Sequence, residues 1–378
     1  MNIPPVEQLL RELIAIPSVN PAFVPAGHPH AGEQKLAEFL VATAKKAGLD
    51  VETQSVVDDR ANVLVRLTPQ GRVTRRIVLA PHLDTVPCAD EKQLTPEFKD
   101  GKLFGRGACD TKGSVAVFLD TLIELAHAER RPRETEIVFA ALVDEENAQG
   151  GSRVLAGSGL QADLAIVGEP TKLRIVTAHK GDLWLRLQTH GKAAHGSRPD
   201  LGRNAVLEMA RVVQLLETTY AKKLRDKKHG LLGHATINVG SIWGGNQPNI
   251  VPDFCEITAD RRTLPGESEK VVIQEIRELL NAHKLRADLM DFKGLESPSL
   301  ETDPDNERVK ELMSEARQHQ PAGVDFFCDA AILAQAGIPS VVFGPGDIAQ
   351  AHTADEWILT RQLGTASSIL RRFLDRQP

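Results

Sequence analysis

Four short runs in this chain are apolar almost without interruption: Ile77–Ala80 in RRIVLAPHLDT, Ile137–Val143 in EIVFAALVDEE, Leu164–Val167 in DLAIVGEP and Val341–Phe343 in PSVVFGPG. A strand with no polar alternation has no face to offer water. Such runs are expected as buried strands of a parallel sheet covered on both sides. Between the first two lies KGSVAVFLDTLIELAHAE, from Lys112 to Glu129, with apolar residues at helical spacing. Near the C-terminus RQLGTASSILRRFLDR reads as an amphipathic helix. Strands alternating with helices predict an α/β domain with a doubly wound, mostly parallel sheet.

The middle of the chain reads differently. From about Gly181 to Phe292 the order is strand (LWLRLQTH), helix (GRNAVLEMARVVQLLETTY), two strands (HATINVGSIW and FCEITADRR), helix (SEKVVIQEIRELLNAH) and a short strand. Here apolar and polar residues alternate, as at Ile237 and Val239 or Ile257 and Ala259, which suits a half-exposed antiparallel sheet. The βαββαβ order is that of a ferredoxin-like unit. The buried-strand pattern resumes after it, so residues 179–292 are expected as an insertion in a discontinuous domain made of 1–178 and 293–378. A length of 378 residues suits two domains, at roughly 100–200 residues each.

Charge and cysteine usage narrow the function classes. Lys plus Arg number 45 against 51 Asp plus Glu, a formal charge of −6, which argues against a nucleic-acid binder. The four cysteines (Cys88, Cys109, Cys255, Cys328) form no C-x-x-C pair, so a reducing compartment is expected rather than a disulfide framework. No window reaches the ~18 apolar residues of a membrane span, and the N-terminal stretch does not read as a signal peptide. The expectation is a cytoplasmic protein with neither nucleic-acid nor membrane partners.

Acids and histidines cluster where the buried runs end: His82 and Asp84 after the first, Asp144, Glu145 and Glu146 after the second, and Glu169 after the third. His352 follows the last run, and the loop GRGACDTKG adds Asp110. Open α/β sheets bind ligands at the carboxyl ends of their strands, so these groups are expected to converge. Singly, each has a plainer reading as a turn or a solvated loop. Together they crowd like charges at a cost of several kcal/mol unless a cation is bound. Histidine with carboxylates and no cysteine suits zinc, with manganese or cobalt as substitutes. The same loop does not make a phosphate site. Lys112 precedes Gly113, the wrong order for a P-loop, and Asp110 stands where a dinucleotide fingerprint needs a small residue.

The segments APHLDTVP, GRGACDTKGS, VDEENAQGGS, VGEPT and FGPGDIAQAHTADE, in this order, resemble the di-zinc amidohydrolase clan. That clan includes acetylornithine deacetylase, succinyl-diaminopimelate desuccinylase, aminoacylase and the glutamate carboxypeptidases. The resemblance covers nearly the whole chain, and the last segment is most similar to the acetylornithine deacetylases. One departure is Phe327-Cys328-Asp329-Ala330, where those enzymes typically carry Cys-Thr-Glu-Ala; the resemblance implies that this segment, with Asp329, borders the substrate.

The resemblance implies a site. Asp110 bridges two Zn²⁺ ions, His82 and Glu169 complete one, and Glu146 and His352 complete the other. Asp84 accepts the second ring N–H of His82 and so orients it. Glu145 is the general base for a water shared by the metals. The alternation of side chains at a strand end is expected to let Glu146 ligate while Glu145 leans over the substrate. From the inserted lid the resemblance implies His195 at the oxyanion, with Asn249 and Arg262 binding substrate and Arg262 taking its carboxylate. It also implies a homodimer through the lid, in which the histidine matching His195 reaches the partner's site. The activity expected is hydrolysis of a small N-acyl amino acid or dipeptide-like amide, as in amino-acid biosynthesis. A desuccinylase or a glutamate-type carboxypeptidase is the enzymatic alternative, and a metal-free binding descendant the non-enzymatic one. Retention of Glu145 with all five donors favours an enzyme.

Overall fold

A computed structural model describes residues 3–290 and 297–378. The chain divides into two compact units. The first comprises Met1–Thr177, Thr302–Ala322 and Cys328–Pro378, and the second Ala178–Glu301 and Gly323–Phe327. The boundary expected at 292/293 lies outside the described residues.

Strands β1 (Asp50–Val57), β2 (Arg60–Leu67), β3 (Arg75–Pro81), β4 (Thr135–Ala141), β5 (Leu164–Gly168) and β6 (Val176–His179) come first along the chain. The second unit then contributes β7 (Gly181–His190), β8 (Thr236–Gly244), β9 (Phe254–Thr263) and β10 (Asp288–Met290), and β11 (Ser340–Val342) returns to the first. The larger sheet runs β1-β2-β4-β3-β5-β11-β6. Its centre, β4 through β11, is parallel, and both margins pair antiparallel. The fold is α/β with a mostly parallel central sheet, as the apolar runs require. Ile77 to Ala80 and Ile137 to Ala141 are wholly buried, each large side chain contributing about 1.5–3 kcal/mol by leaving water.

Helix α1 (Lys112–Ala126) is apolar nearly all round and accordingly buried, with Val115 through Leu119 fully enclosed. The C-terminal helix (Thr360–Asp375) buries only one stripe: Leu363, Ala366, Ile369, Leu370, Phe373 and Leu374. The β1–β2 hairpin is an element that the apolar runs do not announce.

In the second unit the sheet order is β8-β9-β7-β10, all antiparallel, the order of a ferredoxin-like βαββαβ unit. Leu183, Leu185 and Leu187 of β7 and Ile257 and Ala259 of β9 are buried with Met209 and Val212 from the helix Ala205–Gln214 and Val272 and Ile276 from Glu269–Ala282. The alternate residues, such as Trp184, face outward. All four cysteines are free thiols. Among the described residues no helix is long and apolar enough to cross a membrane.

Candidate metal centre

The parallel register sets the carboxyl ends of β3, β4 and β5 side by side: Pro81 pairs with Gly168, and His82 bridges to Leu142. His82 and Glu169 each follow their strand by one residue, and Asp110 stands two residues before α1. Gly168 permits the close approach. A Cβ there would lie 2.7 Å from Cβ of Ser114, in the first turn of α1. The hydroxyl of Thr111 donates to the Gly168 carbonyl at 2.6 Å, and the Asp110–Thr111 peptide is cis.

Two donor groups result, and they share Asp110. In one, His82 Nε2 lies 3.1 Å from Asp110 Oδ1 and 3.7 Å from Glu169 Oε1. In the other, His352 Nε2 lies 3.3 Å from Asp110 Oδ2 and 3.1 Å from Glu146 Oε2. Within each group the candidate ligand atoms lie within 4.8 Å of one another. A tetrahedral zinc with ligands at about 2.0–2.2 Å has ligand–ligand edges of about 3.3–3.6 Å, close to these separations. Glu146 Oε1 and Glu169 Oε1 are buried without a hydrogen-bond partner, an expensive state for a carboxylate oxygen unless a cation meets it. The residues fit two divalent ions.

Proton affinities agree. Burial, then the neighbouring carboxylates, push Glu169 and Glu145 well above the usual carboxylate range despite the opposing pull of His82. Burial and Asp110 raise Glu146. His352 is pushed up to about 10 by its hydrogen bonds to Asp110 and Glu146. Burial alone would raise Asp110 too, but the two imidazoles hold it below the ordinary range. The three glutamates and both imidazoles bind protons more tightly, as groups around a deficit of positive charge do; Asp110, between the imidazoles, is the exception.

Three expectations meet a different geometry. The nearest acceptor to His82 Nδ1 is the backbone carbonyl of Asp84, at 3.0 Å, whereas the Asp84 carboxylate is 3.5 Å away. That carboxylate also accepts, at shorter range, from the backbone N–H groups of Glu145 and Glu146, each at 3.0 Å, and from Asn20 at 2.7 Å. Nor does strand alternation separate Glu145 from Glu146. β4 has ended by then, and Asp144 turns the chain with φ +68°. Asp329, expected to border substrate, is 1% exposed and receives the Ser152 hydroxyl at 2.6 Å. Burial lifts it to about 6. Lys112 donates to the Ile16 carbonyl at 2.7 Å.

Glu356 is a residue that the sequence reading missed. One carboxylate oxygen accepts from the N–H groups of Cys109 and Asp110 at 2.8 and 2.9 Å. The other accepts from Gly107 N–H at 2.9 Å and Arg106 at 2.7 Å. The GRGACD loop, and with it the Asp110 backbone, is wrapped around this one buried acid. It lies in the HTADE segment, where an acid reads as solvated.

In the second unit His195 is exposed, with Nδ1 2.7 Å from Ser197 Oγ. Its segment pairs with that of Asn249: His195 bridges to Ile250, and Gly196 N–H donates to the Asn249 carbonyl at 2.7 Å. Arg262 holds the Asp260 carboxylate through two bonds of 2.9 and 2.8 Å and lies over Phe327.

Residues 78–376 match the model of peptidase family M20/M25/M40. The chain belongs to this family. It is 31% identical over 385 aligned positions to an acetylornithine deacetylase of Myxococcus xanthus, covering 98% of this chain and 97% of the relative. Among solved structures it resembles aminopeptidase PepT of Bacillus cereus, with TM-score 0.80 and 20% identity over 98% of this chain and 97% of that one. It also resembles the YXEP protein of Bacillus subtilis, described as a dinuclear metal binding M20 peptidase, with TM-score 0.71 and 15% identity over 98% and 96% of the two chains. The M20 family is metal-dependent and typically dinuclear, so this M20 chain is a metal-dependent amidohydrolase.

Proposed function

We propose that this M20 enzyme removes the acyl group of an N-acyl amino acid, acting most like an acetylornithine deacetylase and as a homodimer. The carrying observation is the pair of donor groups that share Asp110, one imidazole on each of its oxygens. The M. xanthus relative supports the substrate class. His82, Asp110 and Glu169 hold one ion, and Asp110, Glu146 and His352 the other, with zinc the best match to the donors. Bound there, two divalent ions lower the pKa of a water towards ~7 and polarise the amide carbonyl. Glu145 takes the attacking water's proton and returns it to the leaving amine. His195 donates to the oxygen that becomes negative, with Asn249 beside it in the lid. Arg262 exchanges Asp260 for the substrate carboxylate. Asp84 and Asp329 act from behind, Asp84 by fixing the backbone of the two glutamates.

The test is a panel of N-acetyl, N-succinyl and C-terminal glutamyl amides given to purified, metal-loaded protein. N-acetylornithine should exceed the others in kcat/KM by about tenfold or more. Faster turnover of the succinyl or glutamyl compounds would move the chain to the desuccinylases or carboxypeptidases. No hydrolysis of any amide would leave a binding protein.

The dimer is proposed along β8, an edge strand whose Ile242 and Trp243 are 53% and 61% exposed. If His195 serves the partner's site, His195→Ala and Glu145→Ala chains are each nearly inactive alone. Co-refolded, mixed dimers carry one intact site, and about a quarter of wild-type activity returns. No recovery in demonstrably mixed dimers would confine His195 to its own subunit or exclude it from catalysis.

A further inference from the structure

We infer that Arg60 is a positioning residue for Glu145 and Glu146, acting through Asp144 and Glu33. The inference rests on the reading of the site as a two-metal hydrolase.

Its origin is a problem of unpaired backbone. β4 ends at Ala141, so the N–H groups that follow lose their strand partners, and buried N–H groups do not stay unpaired. Four consecutive ones are met by side chains brought from elsewhere. Val143 N–H donates to Asn62 Oδ1 at 3.1 Å, and Asp144 N–H to Glu33 Oε1 at 3.1 Å. Glu145 and Glu146 N–H donate to the two oxygens of Asp84, each at 3.0 Å. The acceptors are themselves tied together. Asn20 Nδ2 donates to Asp84 Oδ2 at 2.7 Å and to Asp144 Oδ1 at 3.0 Å. Arg60 completes the frame. Its Nε and one terminal nitrogen grip Glu33 at 2.7 and 2.6 Å, and the other reaches Asp144 Oδ1 at 3.0 Å.

The hairpin places this side chain. β1 and β2 are joined through Asp58 and Asp59, and Arg60 opens β2 with its guanidinium side chain only 14% exposed. Glu33 and Asp144 are 1% and 6% exposed at their side chains, so without Arg60 both charges would be buried uncompensated. Asp144 sits at φ +68°, a left-handed conformation that a non-glycine residue keeps only when its surroundings impose it. Its carboxylate is held by Arg60 and Asn20 and its N–H by Glu33. The direction of the next two residues follows from that turn. Arg60 touches neither a metal donor nor Glu145; it fixes the peptide from which both glutamates project. A lysine keeps the charge but has no fork with which to hold Glu33 by both oxygens and Asp144 at once.

The test compares wild type, Arg60→Lys and Glu33→Gln, with Arg66→Lys as a control on the same strand whose partners are Glu52 and Glu136. Metal-stripped proteins are titrated with Co²⁺ by calorimetry and visible absorption, and kcat and KM are measured on an N-acetyl amino acid. Arg60→Lys should bind one Co²⁺ equivalent about 10–100-fold more weakly, the same equivalent that His352→Ala loses, and should leave the other unchanged. The Co²⁺ absorption of that equivalent should shift, and kcat should fall about 10–100-fold with KM moving less than about twofold. Glu33→Gln, which keeps an acceptor for Arg60, should change the same quantities in the same direction by less. Arg66→Lys should match wild type. Unchanged Co²⁺ binding and kcat in folded Arg60→Lys or Glu33→Gln, or equal weakening of both equivalents, overturns the inference. A wild type that binds two Co²⁺ but hydrolyses no amide refutes the proposed reaction instead, and leaves the Co²⁺ comparison to decide the role of Arg60.

Discussion

Glu145→Gln is expected to retain two metals and the native fold while losing about 10²–10⁴-fold in kcat. The side chain belongs to neither donor group, so removing its charge leaves each ion's ligands in place. The carboxylate is needed twice, first to accept the water's proton and then to deliver it to the amine, and an amide can do neither. Glu146→Ala, one residue on, should behave in the opposite way. It removes one of the two carboxylates facing His352, weakens one ion, and should be partly rescued by excess Zn²⁺. Metal content by atomic emission together with kcat at increasing Zn²⁺ separates the two. Rescue of Glu145→Gln by metal, with intact metal content in Glu146→Ala, would exchange the roles of base and ligand.

Asp110→Ala should have the widest effect on metal. It is the one residue common to both groups, with Oδ1 facing His82 and Oδ2 facing His352. Loss of a supporting hydrogen bond to a metal ligand typically costs 10–100-fold in affinity; loss of a shared ligand should cost at least about 100-fold at both positions. His82→Ala and His352→Ala should each empty one position and leave the other filled. Isothermal titration with Zn²⁺ reads this as stoichiometries near zero for Asp110→Ala and near one for each histidine variant. A stoichiometry of one for Asp110→Ala would mean that the two groups are independent and that Asp110 does not bridge.

Three of the candidate metal donors, His82, Glu146 and Glu169, were legible because each follows a run with a strong local pattern, whereas Asp110 and His352 lie in loops. Unbroken apolar strands such as Ile77–Ala80 must be covered on both faces, and a charged residue just beyond such a strand has only the sheet's edge to occupy. His82, Glu169 and the Glu145–Glu146 pair are all of this kind. The groups that hold the donors in place carry no such mark. Asn20 meets Asp84 across 64 positions, Arg60 meets Asp144 across 84, and Arg106 meets Glu356 across 250. An acid, an arginine or an asparagine looks solvated in its own neighbourhood; only the folded chain shows that it answers buried N–H groups or charges. The β1–β2 hairpin was hidden for a related reason. β1 is nowhere fully buried, so it has no apolar run to announce it, yet the hairpin delivers Arg60. The turn at Asp144 likewise replaced the expected strand-end alternation, because four backbone N–H groups found better acceptors off the sheet than on it.

The most direct measurement of the central claim is anomalous diffraction at the zinc edge from crystals of the purified protein, paired with activity before and after exhaustive chelation. Two peaks per chain are expected, one among His82, Asp110 and Glu169 and one among Asp110, Glu146 and His352. Hydrolysis should vanish on chelation and return when Zn²⁺ is restored. Full activity in stripped protein, or zinc bound at neither of these groups in active crystals, would contradict the account.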